Sequence, residues 1–175
     1  MTSQTESSSA AGFMAAALDL AQQAFDRGEF PVGCVIADGS RVVARGYRTG
    51  TVSGSGNEID HAEINALRQL CLNGPDIDRA TLTVYATMEP CLMCYAAIIL
   101  SGITRVVYAY EDVMGGGTRC DRSALPGLYR DAPLVVIPGV LRGQSLELFK
   151  RFFAAPGNRY WADSALSRYT LAQGG

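Results

Sequence analysis

Alternation of extended and helical segments is the feature that most limits how this 175-residue chain can fold. Apolar runs 32–37 and 41–45 flank Asp38-Gly39, and this dipeptide between apolar runs predicts a β-hairpin. The other predicted elements are, in chain order, helix 14–25, helix 62–72, strand 82–87, helix 92–100, strand 104–110, strand 134–137 and helix 145–153. This alternation predicts an α/β fold, a three-layer αβα sandwich around a central mixed sheet of about five strands.

The two ends of the chain differ from its middle in composition. Residues 1–9 are dominated by Ser, Thr and Gln, which predicts a disordered leader over residues 1–11. Residues 12–155 are then one predicted domain. Residues 156–175 form a predicted C-terminal tail with three aromatic side chains, and this tail is a candidate lid over the functional site.

Composition and charge exclude several classes of protein. Lysine and arginine number 15 against 17 aspartates and glutamates, so the net charge of −2 disfavours a strongly basic nucleic-acid surface. No apolar stretch approaches the roughly 20 residues that span a bilayer, so we expect no membrane partner. Residues 1–9 carry no lysine or arginine, unlike a signal peptide, and the five cysteines are an odd number. A cytoplasmic protein without a disulfide framework is therefore expected.

Four side chains are the candidates for a catalytic site. His61 and Glu63 lie at the start of one predicted helix, and Cys91 and Cys94 lie three residues apart at the start of another. Two thiolates and one imidazole that converge at helix N-termini make a tetrahedral zinc site with one open position. The helix dipoles favour the thiolate forms. We therefore predict one Zn²⁺ per chain, held by His61, Cys91 and Cys94.

An open zinc position predicts hydrolytic chemistry. Zinc with three protein ligands binds a water molecule and lowers its pKa to about 7, and Glu63 is placed to carry the proton. The spacing His61-x-Glu63 followed by Pro90-Cys91-x-x-Cys94 is the known signature of zinc-dependent nucleobase deaminases.

Simpler interpretations of each motif stay open at this point. Cys91 and Cys94 could be a thioredoxin-like redox pair, and Glu63 could serve only to cap its own helix. A structural zinc site needs a fourth protein ligand, and Cys34 and Cys120 are candidates for it. The alternative from another class is thus a structural-zinc or redox protein without deaminase activity. Neither simpler interpretation predicts both motifs together, which favours the catalytic site.

These motifs make the chain resemble the cytidine/deoxycytidylate deaminase superfamily from about residue 13 to residue 153. The resemblance is carried by Phe30-Pro31-Val32-Gly33, His61-Ala62-Glu63, Pro90-Cys91-Leu92-Met93-Cys94 and the run 97–107. It is closest to the branch that holds tRNA adenosine deaminase, guanine deaminase and fungal-type cytosine deaminase. The resemblance implies a cytidine deaminase-like fold, a homodimer, and hydrolysis of an exocyclic amino group to a carbonyl with release of ammonia.

The resemblance also implies roles for single residues. His61, Cys91 and Cys94 would hold zinc, and Glu63 would carry protons from the water to the departing ammonia. Backbone N–H groups near Ala62 and Cys91 would contact the substrate ring and the attacking oxygen. Phe30 and Val32 would line one face of a planar base, although both also suit ordinary core packing.

One position departs from the pattern of the relatives. They carry an asparagine in the loop after the second strand, where this chain has Arg48. Asparagine offers a donor and an acceptor, whereas arginine offers only donors. If Arg48 binds substrate, it favours an oxo-rich or anionic ligand; the alternative is that it points to solvent.

The C-terminal tail supplies further candidate contacts. Tyr160-Trp161-Ala162-Asp163 is similar to the aromatic-plus-acid terminus that closes over the base in free-cytosine deaminases, which makes Trp161 and Asp163 candidate substrate contacts. The alternative is a tail that lies on its own surface or on a neighbouring subunit. Asp112 and Met114, which follow the predicted strand 104–110, are further candidates for the pocket wall.

The main hypothesis is a hydrolytic deaminase of a free nucleobase or a related small planar amino-heterocycle, similar to guanine or cytosine deaminase. The alternative enzyme is a tRNA-specific adenosine deaminase, which needs base flipping and phosphate contacts. Net charge disfavours that partner, although Arg142, Lys150 and Arg151 are a candidate local basic patch.

Overall fold

Five strands form one mixed sheet in the structure, a computed structural model that describes residues 2–52, 56–74 and 76–174. The strands are β1 (Gly33–Ala37), β2 (Val42–Tyr47), β3 (Thr83–Met88), β4 (Arg105–Tyr110) and β5 (Val135–Ile137), in the order β2-β1-β3-β4-β5. β1 is antiparallel to both β2 and β3, whereas β3 with β4 and β4 with β5 are parallel pairs. The predicted hairpin is confirmed, and Asp38 accepts the backbone N–H groups of Ser40 and Arg41 in its turn.

Helices cover both faces of the sheet. They are α1 (Thr2–Asp26), α2 (Ala62–Asn73), α3 (Leu92–Leu100), α4 (Gly127–Arg130), α5 (Arg142–Phe153) and α6 (Ala165–Ala172), with a 3₁₀ turn at Arg79–Thr81. Successive strand residues point to opposite faces, so Ile36 packs in the core with α2 and α3, whereas Val35 packs in the core with α1. The predicted αβα sandwich with five strands is therefore confirmed.

The N-terminal segment differs from the predicted disordered leader. Helix α1 begins at Thr2, and residues 8–11 are helical, while Met1 lies outside the described residues. Ala10 and Phe13 pack against the core under α1, and the Phe13 ring lies 5.2 Å from that of Tyr85. Apolar packing of this kind stabilises the helix, although the Ser-rich composition of the segment by itself predicts disorder.

The C-terminal segment contains a helix that the sequence analysis did not predict. Ser164 caps α6 by accepting the backbone N–H of Ser167, and Leu166 is fully buried. The hydroxyls of Tyr110 and Thr170 are 3.0 Å apart, so α6 is fixed to the end of β4. The tail up to residue 174 therefore packs on its own chain.

Close backbone packing sets the position of α2 on the sheet. A Cβ atom at Gly46 would lie 2.2 Å from the backbone oxygen of Ala62, so glycine at this position of β2 lets the start of α2 approach. This contact brings the first turn of α2 close to the end of β2.

Among the described helices, none is long and apolar enough to cross a membrane.

Candidate active site

His61, Cys91 and Cys94 converge where α2 and α3 begin. His61 and Cys91 are the N-cap residues of these two helices, both with extended backbone, and Cys94 follows one turn into α3. The Nδ1 atom of His61 lies 3.5 Å from each of the two sulfur atoms. Tetrahedral zinc with its usual bond lengths to nitrogen and sulfur separates two such ligand atoms by roughly 3.5 Å. The three side chains therefore fit one zinc ion.

The electrostatics of the cluster also suit a cation. The neighbouring Cys94 side chain, together with His61, lowers the pKa of Cys91 to about 4. The pKa of Cys94 is raised by the Cys91 sulfur and by burial. Burial lowers the pKa of His61, but Cys91 and Glu63 outweigh this effect and raise it. One thiolate thus forms readily, and a bound cation would stabilise the second.

Glu63 lies directly beside the cluster. Its side chain is in the first turn of α2 and the residue is only 3% exposed. The Cys94 thiol donates to its Oε2 atom at 3.5 Å. Burial raises the pKa of Glu63, although His61 opposes this effect. The N-cap of α2 is His61, without a side-chain capping bond, so the structure does not show the capping box that would give Glu63 a purely structural role.

A fourth protein ligand is not found in the part of the chain that the structure describes. The His61, Cys91 and Cys94 group has ligand atoms within 4.8 Å of one another, and no other His, Cys, Asp or Glu of the described residues joins it. Cys34 is buried in β1, where its thiol donates to the carbonyl of Val35 at 3.9 Å. These three side chains would leave one coordination position of a bound zinc ion to a reactant, as the protein ligands of catalytic zinc sites do.

A cavity of about 70 Å³ opens beside the cluster. It is lined by Phe30, Val32, Arg48, His61, Ala62, Glu63, Met88, Glu89, Cys91, Asp112, Gly115, Tyr160 and Trp161. Six of the eight substrate contacts proposed from the sequence are in this lining, namely Phe30, Val32, Arg48, Ala62, Asp112 and Trp161. The structure therefore brings most of the proposed contacts together next to the cluster.

The other two proposed contacts, Met114 and Asp163, are not part of this cavity lining. Met114 is 41% exposed, and its backbone N–H donates to Asp112 within a turn. Asp163 is exposed, and its backbone carbonyl accepts a bond from Arg168. Both residues lie in turns, where a shift of one or two positions changes the direction of the side chain.

Arg48 does not point to bulk solvent, as one interpretation of the sequence allowed. Its side chain is 3% exposed. The guanidinium donates to the carbonyl of Thr49 at 3.1 Å, the carbonyl of Asn57 at 2.8 Å and Oε2 of Glu58 at 2.8 Å. Tyr160 donates from its hydroxyl to the same Glu58 oxygen at 2.9 Å. Arg48 thus connects the loop after β2 with the C-terminal tail.

An aromatic wall, defined as Phe30, Tyr160 and Trp161, forms one side of the cavity. The rings of Tyr160 and Trp161 are stacked with centroids 5.1 Å apart, and the Phe30 ring lies 5.3 Å from Tyr160 and 6.0 Å from Trp161. Trp161 has a left-handed backbone with φ of 52°, which is uncommon for a bulky residue. The tail therefore contributes to the cavity of its own chain.

Glu89 and the glycine run that follows β4 are parts of the site that the sequence analysis did not assign. Glu89 accepts the backbone N–H of Asp112 at 3.1 Å, and a Cβ atom at Gly116 would lie 2.6 Å from the Glu89 carboxyl carbon. A Cβ at Gly117 would lie 2.6 Å from the backbone nitrogen of Leu92. Three consecutive glycines were the available signal, because close backbone approach needs them.

An αβα sandwich with a His–Cys–Cys cluster and a buried glutamate at two helix N-termini defines the deaminase class of metal-binding proteins. The family model for the cytidine and deoxycytidylate deaminase zinc-binding region matches residues 7–110, which is more than half of the chain. The chain belongs to this family.

Several relatives agree with this assignment. A tRNA-specific adenosine deaminase of Agrobacterium fabrum is 36% identical over 146 residues, which cover 81% of this chain and 91% of that protein. The corresponding Haemophilus influenzae protein is 33% identical over 138 residues, covering 78% and 79%.

Solved structures are similar as well. One from a study of A-to-I editing by tRNA:A34 deaminases at the wobble position has a TM-score of 0.61 and 31% identity, covering 78% of this chain and 98% of that one. A guanine deaminase structure from Nitrosomonas europaea has a TM-score of 0.66 at 21% identity, covering 83% and 85%, and shows the shared fold.

Proposed function

We propose that this protein is a zinc-dependent hydrolytic deaminase that acts on the amino group of a nucleobase-like heterocycle. The observation that carries the proposal is the buried Glu63 carboxyl in contact with the His61, Cys91 and Cys94 cluster. In the net reaction, water supplies the oxygen of a new C–O bond, the C–N bond breaks, and ammonia leaves.

The chemistry of the donor set supports His61, Cys91 and Cys94 as the metal ligands. His61, Cys91 and Cys94 would hold zinc, which when bound acidifies water and so supplies a nucleophile at neutral pH. Glu63 accepts a proton from water and delivers it to the departing nitrogen. Burial raises the pKa of Glu63 above its usual value, which makes the carboxyl a better proton acceptor. The aromatic wall holds the planar ring by stacking.

Sequence similarity supports adenosine in tRNA as the substrate better than a free base. The relatives at 33% and 36% identity are tRNA-specific adenosine deaminases. The candidate basic patch offers this partner little support, however. Arg142 pairs with Glu111, Lys150 with Glu147, and the Arg151 guanidinium lies over the ring of Phe25. The phosphates of a tRNA substrate would have to compete with these contacts for the three basic side chains.

Cavity geometry supports a free amino-heterocycle as the second candidate. The cavity is small, and Tyr160 and Trp161 of the tail cover one side of it. Tyr160 is also bonded to Glu58 on the opposite loop. A small cavity that the chain's own tail covers on one side favours a small free ring.

Release of ammonia tests the proposal. Zinc-loaded protein is given guanine, cytosine, adenine and related heterocycles, and separately a tRNA anticodon stem-loop that is assayed for inosine. Turnover that is lost in Glu63→Gln but kept in Glu147→Gln, an exposed carboxylate on α5, supports the proposal. Zinc-replete protein that is inert on every substrate, yet cycles a Cys91–Cys94 disulfide, would overturn it in favour of a redox protein.

A homodimer and a cytoplasmic location remain predictions. Helix α3 exposes Leu92 and Leu100, which is consistent with an apolar contact between two copies. Sedimentation of the zinc-loaded protein at micromolar concentration measures the mass. Two chains per particle is the expected result, and a monomer at all concentrations would contradict it.

A further inference from the structure

Glu89 carries a buried carboxyl group that the proposed chemistry does not use. Its side chain is 0% exposed, and the residue lines the same cavity as Glu63. Burial of a carboxyl group is costly unless its oxygens find hydrogen-bond partners. Arg119 compensates little of this cost, because its side chain is 70% exposed and its Nε atom lies 3.9 Å from the carboxyl group. The buried position of Glu89 therefore has to be explained by the other groups that it bonds.

Both ends of one loop bond to this carboxyl group. The glycine loop, residues 112–118, follows β4 and contains three consecutive glycines. Oε2 of Glu89 accepts the backbone N–H of Asp112 at 3.1 Å, and Oε1 accepts the hydroxyl of Thr118 at 2.5 Å. The Thr118 hydroxyl also bonds the side chain of Tyr108 in β4. One carboxyl group thus connects the first and the last residue of the loop.

The glycine loop lies directly on the backbone of the candidate metal ligand Cys91. Gly117 donates its N–H to the carbonyl of Pro90 at 2.9 Å, and Gly116 pairs with Cys91 in an antiparallel β-bridge. A Cβ atom at Gly116 would lie 2.6 Å from the carboxyl carbon of Glu89. The loop, the Glu89 carboxyl group and the Cys91 backbone therefore pack together without an intervening side chain.

The same loop supplies part of the cavity wall. Asp112 and Gly115 both belong to the cavity lining. The Asp112 carboxyl group accepts the backbone N–H groups of Met114 and Gly115, both at 2.9 Å, so its direction depends on the path of the loop. A change in that path would move Asp112 relative to Glu63, which lines the same cavity.

We propose that Glu89 is a positioning residue, which holds the glycine loop against Cys91 so that the cavity wall with Asp112 stays in place during the reaction. This inference rests on the proposed deaminase function and adds a residue that acts through the loop. Both carboxyl oxygens of Glu89 bond the loop, whereas Glu63 is the carboxyl group in contact with the cluster. Misplacement of a contact group by about 1 Å can lower a rate by about 10²-fold.

Substitutions of Glu89 test the inference in the zinc-loaded full chain. The probe is the best substrate among guanine, cytosine, adenine and the tRNA anticodon stem-loop. Glu89→Ala removes both bonds to the loop and should lower kcat/KM by about 10–10²-fold. Glu89→Gln keeps an oxygen for the N–H of Asp112 and an amide group for Thr118, so it should restore most of this loss. Glu147→Ala, at an exposed position of α5, should retain the wild-type values.

Thr118 allows a smaller change that keeps the carboxyl group in place. Thr118→Val removes only the hydroxyl and should lower kcat/KM by about 3–10-fold, whereas Thr118→Ser keeps the hydroxyl and should resemble wild type. Tyr108→Phe is the matched control, because it removes the other partner of this hydroxyl and leaves the bond to Glu89. Thermal unfolding shows whether each variant folds, and the Thr118 variants decide the case if Glu89→Ala does not.

A double-mutant cycle shows whether Glu89 acts through Asp112. In an Asp112→Ala background the positioned carboxyl group is already absent, so Glu89→Ala or Thr118→Val should lower kcat/KM by less than about threefold further. A merely structural role would give the same factor in both backgrounds. Amide hydrogen exchange across the glycine loop is the second readout and needs no substrate. Exchange should be faster in Glu89→Ala and Thr118→Val than in wild type, and unchanged in Tyr108→Phe.

Each outcome separates this inference from the proposed function. Equal turnover by wild type, Glu89→Ala and Thr118→Val would overturn the inference and leave the deaminase intact. Losses that simply multiply with the loss from Asp112→Ala would do the same, as would amide exchange that is unchanged in both variants. Absence of turnover by the wild-type protein on all four substrates would overturn the proposed function and this inference with it.

Discussion

The thiol of Cys94 lies 3.5 Å from Oε2 of Glu63, so a candidate metal ligand and a candidate proton carrier are in direct contact. The two residues come from different helices, α3 and α2, whose N-termini meet at this point. Charge on the cluster and protonation of the carboxyl are therefore coupled. A carboxyl in this position can accept a proton and release it again during a hydrolysis beside the candidate metal ligands.

Removal of the Glu63 carboxylate should separate metal binding from turnover. Glu63→Gln keeps the shape of the side chain but cannot accept a proton, so we expect kcat to fall by about 10²–10⁴-fold. Zinc content should stay at the wild-type value, because Glu63 is outside the ligand set. Steady-state kinetics and elemental analysis of the same sample measure both quantities. Full activity in Glu63→Gln would contradict the assigned role.

Trp161 should contribute to substrate binding rather than to proton transfer. Trp161→Ala removes one ring of the aromatic wall, and loss of one aromatic stack is expected to raise KM by about 2–10-fold with little change in kcat. Leu171→Ala, an exposed position of the same tail on α6, is the control and should behave as wild type. An unchanged KM in Trp161→Ala would mean that the wall does not touch the substrate.

Gly117 should be intolerant of a side chain. A Cβ atom there would lie 2.6 Å from backbone atoms of Leu92, next to the candidate ligand Cys91. We expect Gly117→Ala to lower the free energy of unfolding by about 1–3 kcal/mol, and to weaken zinc binding. Gly143→Ala is the matched control on α5, where no atom lies within 4 Å of the added Cβ. Equal stability of the two variants in urea would refute this interpretation.

Acid should loosen the attachment of α6 through Glu111. Hydrogen bonds from Arg142 and Tyr169 lower the pKa of Glu111 to about 2, whereas 4.5 is the usual value. A lowered pKa in the folded state means that this stabilisation is present above pH 4.5 and is lost as the pH falls from 4.5 towards 2.

Because the pair is partly exposed, its contribution is about 1–2 kcal/mol. The difference in unfolding free energy between wild type and Glu111→Gln should therefore shrink as pH falls below 4.5. Chemical denaturation from pH 7 to pH 3 measures it, and Glu147→Gln is the exposed control. A difference that is independent of pH would contradict the assignment.

Motif spacing made the strands and the meeting of His61, Cys91 and Cys94 beside Glu63 predictable. A three-residue separation within one helix determines that Cys91 and Cys94 share a face, whatever the rest of the fold does. The hairpin at Asp38-Gly39 is equally local. The hairpin and the shared face of Cys91 and Cys94 depend on residues that are neighbours in the chain, so the sequence alone defines them.

Contacts between distant segments could not be predicted in this way. The hydroxyl of Tyr160 bonds Glu58 across 102 positions of sequence, and this contact places both the tail and Arg48 at the cavity. Helix α6 was missed because it is short and its burial depends on tertiary packing against β4. The directions of Met114 and Asp163 depend on turns, whose path no periodic pattern describes.

Metal analysis tests the central claim most directly. The purified protein should contain one zinc ion per chain. Cys91→Ser should lose this ion, whereas Cys71→Ser, at an exposed position outside the cluster, should keep it. Cobalt exchanged into the site should show the absorption of a metal ion bound by two thiolates, with one coordination position that no protein ligand occupies. Protein without a bound metal, or a cobalt spectrum from four protein ligands, would contradict the account.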